Sequence, residues 1–250
     1  MSKSISFENA ASIYEATRGG LERGARYAAT IGPQLPPRAT FLEIGVGTGA
    51  IATPVRDLGH DVFGIDLAPA MLATAHERLG SRIAVADAER LPFPDATFDA
   101  VLACWVLHLV GDQQAVLAEC ARVLTAGGRM LVVPADAWEE EENDVAPIIR
   151  QLRVDLGRGK DRAPVISPLL EAVGFTLSED ISMDPFVFDQ SPEHEAQGIE
   201  RREWSSCWSL TDDEFATKVQ PHIDALRALP EPDRPRRRAH TNHLLVYQRV

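Results

Sequence analysis

Three glycines at alternating positions are the residues of this sequence that most clearly indicate chemistry. Gly45, Gly47 and Gly49 follow a short apolar stretch, and Asp66 ends the next apolar stretch about twenty residues further on. Glycine lets a backbone turn tightly and approach a ligand that any Cβ would hold away. An acid at the end of the second stretch can accept hydrogen bonds from both hydroxyls of a ribose. The spacing therefore predicts the front half of a site for a nucleoside cofactor.

The residue that selects among nucleoside cofactors is Glu43, two positions before the first glycine. The glycines alone do not choose, because Gly45, Gly47 and Ala50 also satisfy the dinucleotide fingerprint. A pyrophosphate would lie in the loop and at the N-terminus of the next helix, where a carboxylate would repel it. S-adenosylmethionine has no phosphate and has an ammonium and a sulfonium, which an acid would attract. We therefore expect the methyl donor, with an NAD-dependent oxidoreductase as the alternative.

Strands that alternate with helices must position these residues. An N-terminal helix is predicted over 8–30, a helix begins near Pro69, and another ends at Gly127–Gly128. This alternation is typical of an α/β protein with a mostly parallel sheet covered by helices on both faces. The predicted strands are 40–44, 61–66, 83–86, 98–103, 129–134, 175–181 and 243–248.

The nearly fifty residues before the last predicted strand form a second region. Residues 191–239 are rich in charge and proline, and so long a stretch is not expected to be a bare loop. We predict one domain over 1–250, with a core of about 25–135, 165–190 and 240–250. Helices in 191–239 should form a lid that binds the acceptor.

Composition and charge limit the class of protein. With 250 residues and a net charge of −12, the chain can bury a full core and lacks the basic face that nucleic acids require. No apolar run approaches the roughly 20 residues of a membrane span, and the first residues lack the apolar run of a secretory signal. We expect a cytoplasmic protein whose partner is a small molecule, with no nucleic acid and no membrane.

The cysteines, the histidine pair and the basic cluster indicate no further catalytic or metal site. The cysteines Cys104, Cys120 and Cys207 are odd in number and widely spaced, as in a reduced protein without a disulfide framework. No metal site is expected, because the histidine pair near residue 240 has no cysteine or acid at ligand spacing. The basic cluster 234–238 is expected to be a solvated loop.

Longer motifs around the glycines resemble a known family. Residues 43–49, Asp66 and 87–99, together with the later run 122–129, resemble the class I S-adenosylmethionine-dependent methyltransferases. The likeness is to the small-molecule branch related to ubiquinone and menaquinone biosynthesis methyltransferases, and it spans roughly residues 40–135. It implies a Rossmann-like sheet of seven strands in the order 3-2-1-4-5-7-6, with strand 7 antiparallel. Residues 243–248 fit that last strand.

The resemblance implies roles for the first motif. Gly45, Gly47 and Gly49 would approach the methionine and ribose portions of the cofactor. Glu43 would hold the methionine ammonium, and Asp66 would bind the ribose hydroxyls. The acceptor would be a small organic molecule methylated on oxygen, nitrogen or carbon, and a cofactor-binding module without turnover is a further alternative.

The resemblance also implies an adenine pocket. Leu67 and Met71 would lie against the adenine ring, although Met71 is equally suited to the core of its helix. Asp87 would accept from the adenine amine, and Ala88 would offer its backbone N–H to a ring nitrogen.

Further residues would surround the methionine end. Cys104 and Trp105 would flank the sulfonium, with Cys104 lining the site and not acting as a nucleophile. Tyr14 and Arg18, four apart on the N-terminal helix, would cap the cofactor or form a surface pair.

Three residues are candidates for work on the acceptor. His108 follows the fourth strand, where the family places residues facing the methyl group, and a neutral imidazole there could accept a proton. A histidine that is hydrogen-bonded within the fold is the alternative. Trp204 and Trp208 are four apart, so on a helix they would share one face and either wall an acceptor pocket or pin the insertion to the sheet.

Overall fold

A computed structural model of the protein describes residues 19–135, 139–140, 142–208 and 210–249. These residues form two compact units. The first contains 19–135, 161–183 and 243–249, and the second contains the described residues of 136–160 and 184–242. The predicted insertion, 191–239, lies within the second unit, which also includes residues on either side of 161–183.

The first unit is built on one sheet of seven strands. The sheet order is β3-β2-β1-β4-β5-β10-β7, with β10 antiparallel to both of its neighbours and β1 to β5 parallel. The elements are β1 (Thr40–Ile44), β2 (Asp61–Asp66), β3 (Ile83–Val85), β4 (Phe98–Cys104), β5 (Leu124–Val133), β7 (Phe175–Ser182), β10 (His243–Arg249), α1 (Gly20–Ile31), α2 (Ala52–Asp57), α3 (Pro69–Leu79), α4 (Gln113–Val123) and α6 (Ala163–Glu171). Among these seven strands β7 is the sixth in chain order and β10 the seventh, so the predicted order 3-2-1-4-5-7-6 is confirmed.

Helices cover both faces of this sheet, as the sequence predicts. One apolar layer places α1, α2 and α3 against one face, for example through Ile31, Val55 and Leu72. The other places α4 and α6 against the opposite face, for example through Leu117 and Leu170. Strands that are buried on both sides are continuous apolar runs, which is why β1 and β4 could be predicted from the sequence.

The parallel strands bring their C-terminal ends to one edge of the sheet. β1 pairs with β2 and β4 in register, so Ile44 lies opposite Ile65 and Ala103. Asp99, the acid near the start of β4, accepts from the backbone N–H and the hydroxyl of Thr40 at 2.8 Å each. These bonds join β1 and β4 at the N-terminal ends of the strands. The loops after β1, β2, β3 and β4 meet at the C-terminal ends.

The start of β5 differs from the sequence prediction by several residues. β5 begins at Leu124 and not at Arg129, so the glycine pair 127–128 lies inside the strand. The pairing with β4 is irregular between Phe98 and Ala100, and Gly127 has a φ of 75°. The glycines therefore make an irregularity in the strand where a helix stop was predicted.

The second unit consists of helices packed around an apolar core and a small sheet. Ile149, Ile199 and Ile223 lie in that core. The sheet is antiparallel, in the order β6-β9-β8. The elements are α5 (Ala146–Asp155), α7 (Pro192–Glu200), α8 (Asp212–Lys218), α9 (Gln220–Arg227), β6 (Glu139–Glu140), β8 (Phe186–Gln190) and β9 (Arg236–Thr241).

The prediction of a solvated basic loop over 234–238 is wrong. Arg236 begins β9, and Arg238 is buried, with its Nη1 atom 2.7 Å from Oε2 of Glu195 on α7. Its guanidinium also lies 5.4 Å from the centre of the Phe188 ring on β8. Residues distant in sequence neutralise and cover this charge, so no local pattern reveals that it is buried.

Candidate active site

The glycine loop between β1 and α2 has the left-handed backbone that its sequence predicts. The φ angles of Gly45, Gly47 and Gly49 are 69°, 55° and 76°. A Cβ on Gly47 would meet nothing within 4 Å, so this glycine presents open backbone to a ligand. A Cβ on Gly45 would lie 2.6 Å from Cγ2 of Val106, so that glycine lets the segment after β4 pack on the loop. The loop therefore leaves room for a ligand at Gly47 and packs against Val106 at Gly45.

Asp66 lies where β2 ends and joins the glycine loop to the next turn. Its Oδ2 atom accepts from the backbone N–H of Gly47 at 2.8 Å, and its Oδ1 atom accepts from that of Ala68 at 2.9 Å. Asp66 thus orders the glycine loop, and its contact with ribose hydroxyls stays a prediction.

Glu43 is a buried carboxyl group in β1, just before the loop. Its side chain accepts from the backbone of Ala52, and its Oε2 atom has no hydrogen-bond partner among the described residues. Burial raises the pKa of Glu43 well above the usual value, the charge of Asp66 raises it further, and the bond from Ala52 opposes both. A buried oxygen without a partner is costly unless a donor reaches it, and a ligand ammonium would supply one.

The residues predicted for the adenine lie at the ends of β2 and β3. Leu67 is exposed, whereas Met71 is 2% exposed on α3 and is placed as a core residue would be. Asp87 follows β3, and its Oδ1 atom accepts from the backbone N–H of Glu89 at 3.0 Å. Ala88 is buried beside it. These positions border one edge of the sheet, and their adenine contacts stay a prediction.

Trp105 follows β4 in a left-handed conformation, with a φ of 53°. The guanidinium carbon of Arg23 lies 4.3 Å from the centre of its ring, and the ring of Tyr27 meets it edge-on at 5.8 Å. The Nε1 atom of Trp105 is buried and has no hydrogen-bond partner in the part of the chain that the structure describes. Tyr14 and Arg18, predicted to cap this end, lie outside the described residues.

The sequence prediction missed Arg23 and Tyr27, although both are on the predicted N-terminal helix. They are four residues apart on α1, the same spacing that drew attention to Tyr14 and Arg18. Either pair fits the helical pattern, and the packing of α1 against Trp105 is visible only in the structure.

Cys104 is buried beside these groups. Burial is the largest cause that raises the pKa of its thiol, and the charge of Glu43 adds to it, while Arg23 acts in the opposite direction. A thiol that resists ionisation is a poor nucleophile. A nucleophilic role is therefore not indicated, and whether Cys104 lines the cofactor site or only packs in the core stays a prediction.

His108 lies on the turn after β4 and faces an acid that no sequence motif marks. Its Nδ1 atom is 3.4 Å from Oδ2 of Asp161, which is fully buried. The same oxygen of Asp161 accepts from the backbone N–H of Ala135 at 2.8 Å. Asp161 follows β5 by a long stretch of chain, so only the fold brings it to His108.

Trp204 and Trp208 belong to the second unit and do not share an α-helix. Helix α7 ends at Glu200, Arg202 turns the chain with a φ of 56°, and a short 3-10 helix separates the two tryptophans. Trp204 packs against the apolar core of that unit, and Nε1 of Trp208 donates to the carbonyl of Arg202 at 2.7 Å. The predicted shared helical face is therefore wrong, and their place in an acceptor pocket stays a prediction.

The expectations about membranes and metals concern the wider surroundings of the site. No helix in the described ranges is long and apolar enough to cross a membrane. In the same ranges, no group of three or more His, Cys, Asp or Glu residues is placed to hold a metal ion. A cavity of about 470 Å³, lined by Asp99, Gly127 and Gln248 among others, lies at the opposite edge of the sheet from the glycine loop.

The sheet order and the glycine loop, with an acid on either side of it, are those of a Rossmann-like α/β fold. Residues 42–132 match the family described as "Methyltransferase domain". This match confirms the predicted resemblance over the part of the chain where its motifs lie. The cofactor predicted from the sequence, S-adenosylmethionine, agrees with it.

Individual relatives support the same assignment. Demethylmenaquinone methyltransferase of Tropheryma whipplei is 41% identical over 115 residues, which are 44% of this chain and 46% of that protein. Phosphatidylethanolamine N-methyltransferase of Cereibacter sphaeroides is 37% identical over 99 residues, 37% of this chain and 48% of that protein. The chain thus spans about half the length of the curated relatives it matches.

A solved structure shows the same fold over nearly the whole chain. It is an S-adenosylmethionine-dependent methyltransferase of Thermotoga maritima, described as a possible histamine N-methyltransferase. Its TM-score is 0.55 at 20% identity, and the match covers 98% of each chain. At this identity the likeness concerns the fold alone.

Proposed function

We propose that this protein is a methyltransferase that moves a methyl group from S-adenosylmethionine to an oxygen, nitrogen or carbon atom of a small organic acceptor. The observation that supports it most strongly is Glu43. A buried carboxyl group with an unpartnered Oε2 atom lies directly before an open glycine loop. That combination suits a cationic amino acid moiety and opposes a pyrophosphate.

The proposed binding mode assigns a contact to each part of the cofactor. Glu43 accepts from the methionine ammonium, and Asp66 accepts from the ribose hydroxyls while it keeps its bond to Gly47. Leu67 and Asp87 contact the adenine. Trp105, with Arg23 stacked on its ring, offers its unpartnered Nε1–H to the methionine end of the cofactor.

Rate acceleration in this proposal comes mostly from alignment. When bound, S-adenosylmethionine supplies a methyl group on a sulfonium, which is a good leaving group. The protein must hold the acceptor in line with that methyl group and exclude water, which can account for a large part of the rate. His108, on the turn that packs against Gly45 through Val106, is the group proposed to take the acceptor's proton.

The names of the relatives indicate where a search for the acceptor should begin. One is named for demethylmenaquinone and another for a nitrogen of phosphatidylethanolamine. Reduced quinones and primary amines of lipid headgroups are therefore the first acceptors to test.

Calorimetric titration with S-adenosylmethionine, S-adenosylhomocysteine and NAD⁺ tests the cofactor. We expect binding of the first two and none of NAD⁺, and the reverse pattern would favour the oxidoreductase. A screen with tritiated methyl donor then tests turnover. Binding without label transfer to any acceptor of the screened classes would favour a cofactor-binding module without catalysis.

A further inference from the structure

Asp161 is a fully buried acid that the proposed cofactor contacts do not use. Its Oδ2 atom accepts from Ala135, but its Oδ1 atom is buried and has no hydrogen-bond partner within the described ranges. An ionised carboxylate that is only partly satisfied in the interior costs stability. A positive charge that appears next to the carboxylate during function would offset this cost.

His108 is a titratable neighbour of Asp161. The Nδ1 atom of His108 is 3.4 Å from Oδ2 of Asp161 and makes no hydrogen bond that meets normal geometry. This separation is a little longer than a typical N–H···O bond, and such contacts are often long before a substrate is bound. Nδ1 of His108 therefore faces a carboxylate oxygen of Asp161. A proton held on Nδ1 would leave Nε2 as the ring nitrogen able to accept another.

The turn that holds His108 is fixed next to the glycine loop. Leu109 N–H donates to Val106 at 2.8 Å, and the side chain of Gln113 donates to the Leu107 carbonyl at 3.0 Å. Val106 is the residue that packs on Gly45. Cys104, whose thiol pKa is raised by burial and further by the charges of Glu43 and Asp161, is the last residue of β4 before this turn.

We propose that Asp161 is a positioning residue that holds the His108 proton on Nδ1, leaves Nε2 as the base, and so selects acceptors whose methylated atom loses a proton. This inference rests on the proposed methyltransferase function. Hydroxyl groups, amines and activated carbons belong to that acceptor class. A carboxylate acceptor, which has no proton to lose at neutral pH, does not.

In the methyl-transfer step, a bond forms between the acceptor atom and the methyl carbon while the carbon–sulfur bond breaks. The sulfur keeps the electron pair of the broken bond. The acceptor's proton passes to Nε2 of His108, which becomes a cation. Asp161 then faces a positive ring, and a carboxylate at this position stabilises the imidazolium as it forms.

The tautomer of His108 can be measured without knowledge of the acceptor. The protein is labelled with ¹⁵N-histidine, saturated with S-adenosylhomocysteine and studied by two-bond ¹⁵N–¹H correlation at about pH 9, where histidine is ordinarily neutral. The variant His108→Gln assigns the signal. We expect the proton on Nδ1 in the wild type, whereas a neutral histidine in water holds it mainly on Nε2. A wild-type proton on Nε2 would overturn the inference.

Variants separate orientation from charge. Asp161→Ala removes both, so the proton of His108 should move to Nε2. Asp161→Asn keeps a carbonyl oxygen for Ala135 and His108 but removes the charge, so the tautomer should persist while kcat falls about 10-fold or more with the KM for the donor unchanged. Melting temperature and S-adenosylhomocysteine affinity show whether each variant is folded.

The pair of Asp155 and His222, in which the acid is exposed, provides the matched control. Oδ2 of Asp155 is 2.7 Å from Nε2 of His222 in the second unit. Asp155→Ala should alter the His222 signal and leave the His108 tautomer and kcat unchanged. A tautomer of His108 that is the same in the wild type and in a folded Asp161→Ala variant would remove Asp161 from the role.

A wrong cofactor and a wrong dyad give different results. Absence of S-adenosylhomocysteine binding to the wild type would reject the cofactor, and the tautomer could still be measured on the free protein. Binding together with an Nε2 proton would leave a methyltransferase without this dyad. Labelled product from carboxylate acceptors would overturn the acceptor class alone.

Discussion

Two buried glutamates, one in each unit, differ in whether a cation within the fold pairs with them. Glu43 in the first unit and Glu195 in the second are 3% and 7% exposed. Glu195 is paired with Arg238 at 2.7 Å, whereas Glu43 has no cation beside it among the described residues and leaves Oε2 unpartnered. The difference shows that burial alone does not tell a structural carboxyl group from one that could bind a ligand. The carboxylate of Glu195 has its partner within the fold, whereas the unpartnered Oε2 atom of Glu43 is where we propose that a ligand donates.

The largest effect expected from this comparison is on stability, at Arg238. Arg238→Met leaves Glu195 buried without its partner and should lower the free energy of unfolding by about 3–5 kcal/mol. Urea unfolding followed by tryptophan fluorescence measures this, since Trp204 and Trp208 lie in the same unit. Arg237→Met, at an exposed position of the same strand, is the control and should change the free energy of unfolding by less than about 0.5 kcal/mol. Equal effects of the two variants would show that the pair is not the cause.

The next effect is on cofactor binding, at Asp66. Asp66→Ala removes the proposed ribose contact and the bonds to Gly47 and Ala68, so S-adenosylmethionine should bind more weakly by about 2–3 kcal/mol. Calorimetry measures the dissociation constant. Asp61→Ala, at the other end of β2 in an exposed pair with Arg82, should leave binding unchanged. Unchanged affinity in Asp66→Ala would refute the ribose assignment.

A smaller, pH-dependent effect is expected at Glu43. Because burial raises the pKa of Glu43, folding favours its protonated form, and the stability this provides is present in full below the ordinary value of about 4.5 and is lost as pH rises through the raised pKa. The melting temperature of the wild type should therefore fall relative to Glu43→Gln as pH rises above the ordinary value of about 4.5. The free energy of unfolding should fall by at most about 1.4 kcal/mol for each pH unit, because a single group titrates. Cofactor binding in the wild type should release a proton, and its affinity should rise with pH, because the ammonium selects the carboxylate.

Glu119 is the control for the sign of that effect. Its hydrogen bond with Arg122 is the main cause that lowers its pKa, so its contribution to stability is present above the ordinary pKa and is lost on acidification. The wild type should gain stability relative to Glu119→Gln as pH rises from about 3 to 5. Parallel melting curves for Glu43→Gln and the wild type would contradict the assignment of Glu43.

The smallest effect is expected at Trp208. Trp208→Phe keeps an aromatic ring but removes the hydrogen bond from Nε1 to the Arg202 carbonyl, which should cost about 1 kcal/mol of unfolding free energy. Donor affinity should not change. A rise in the acceptor's KM without loss of stability would instead support the predicted acceptor pocket.

The same two regions differ in how far the sequence could predict them. The bounds of β1, β2 and α3 agree with prediction because apolar runs, a glycine loop and a proline at a helix start are local signals. The strand that contains Arg238 was not predictable, since its burial depends on Glu195 on a distant helix. The acid opposite His108 was missed for the same reason. Tertiary partners, and not local propensity, decide these positions.

The position of β10 in the sheet has a consequence for the order in which the protein is made. β10 follows every other strand in the sequence, yet it lies between β5 and β7. While the ribosome is still synthesising the segment before His243, β5 is an unprotected edge and β7 has yet to meet the strand that joins it to the sheet. The nascent chain can form the cofactor half early, but closure of the sheet must wait, and during that interval the exposed edge of β5 is where a chaperone would be most useful.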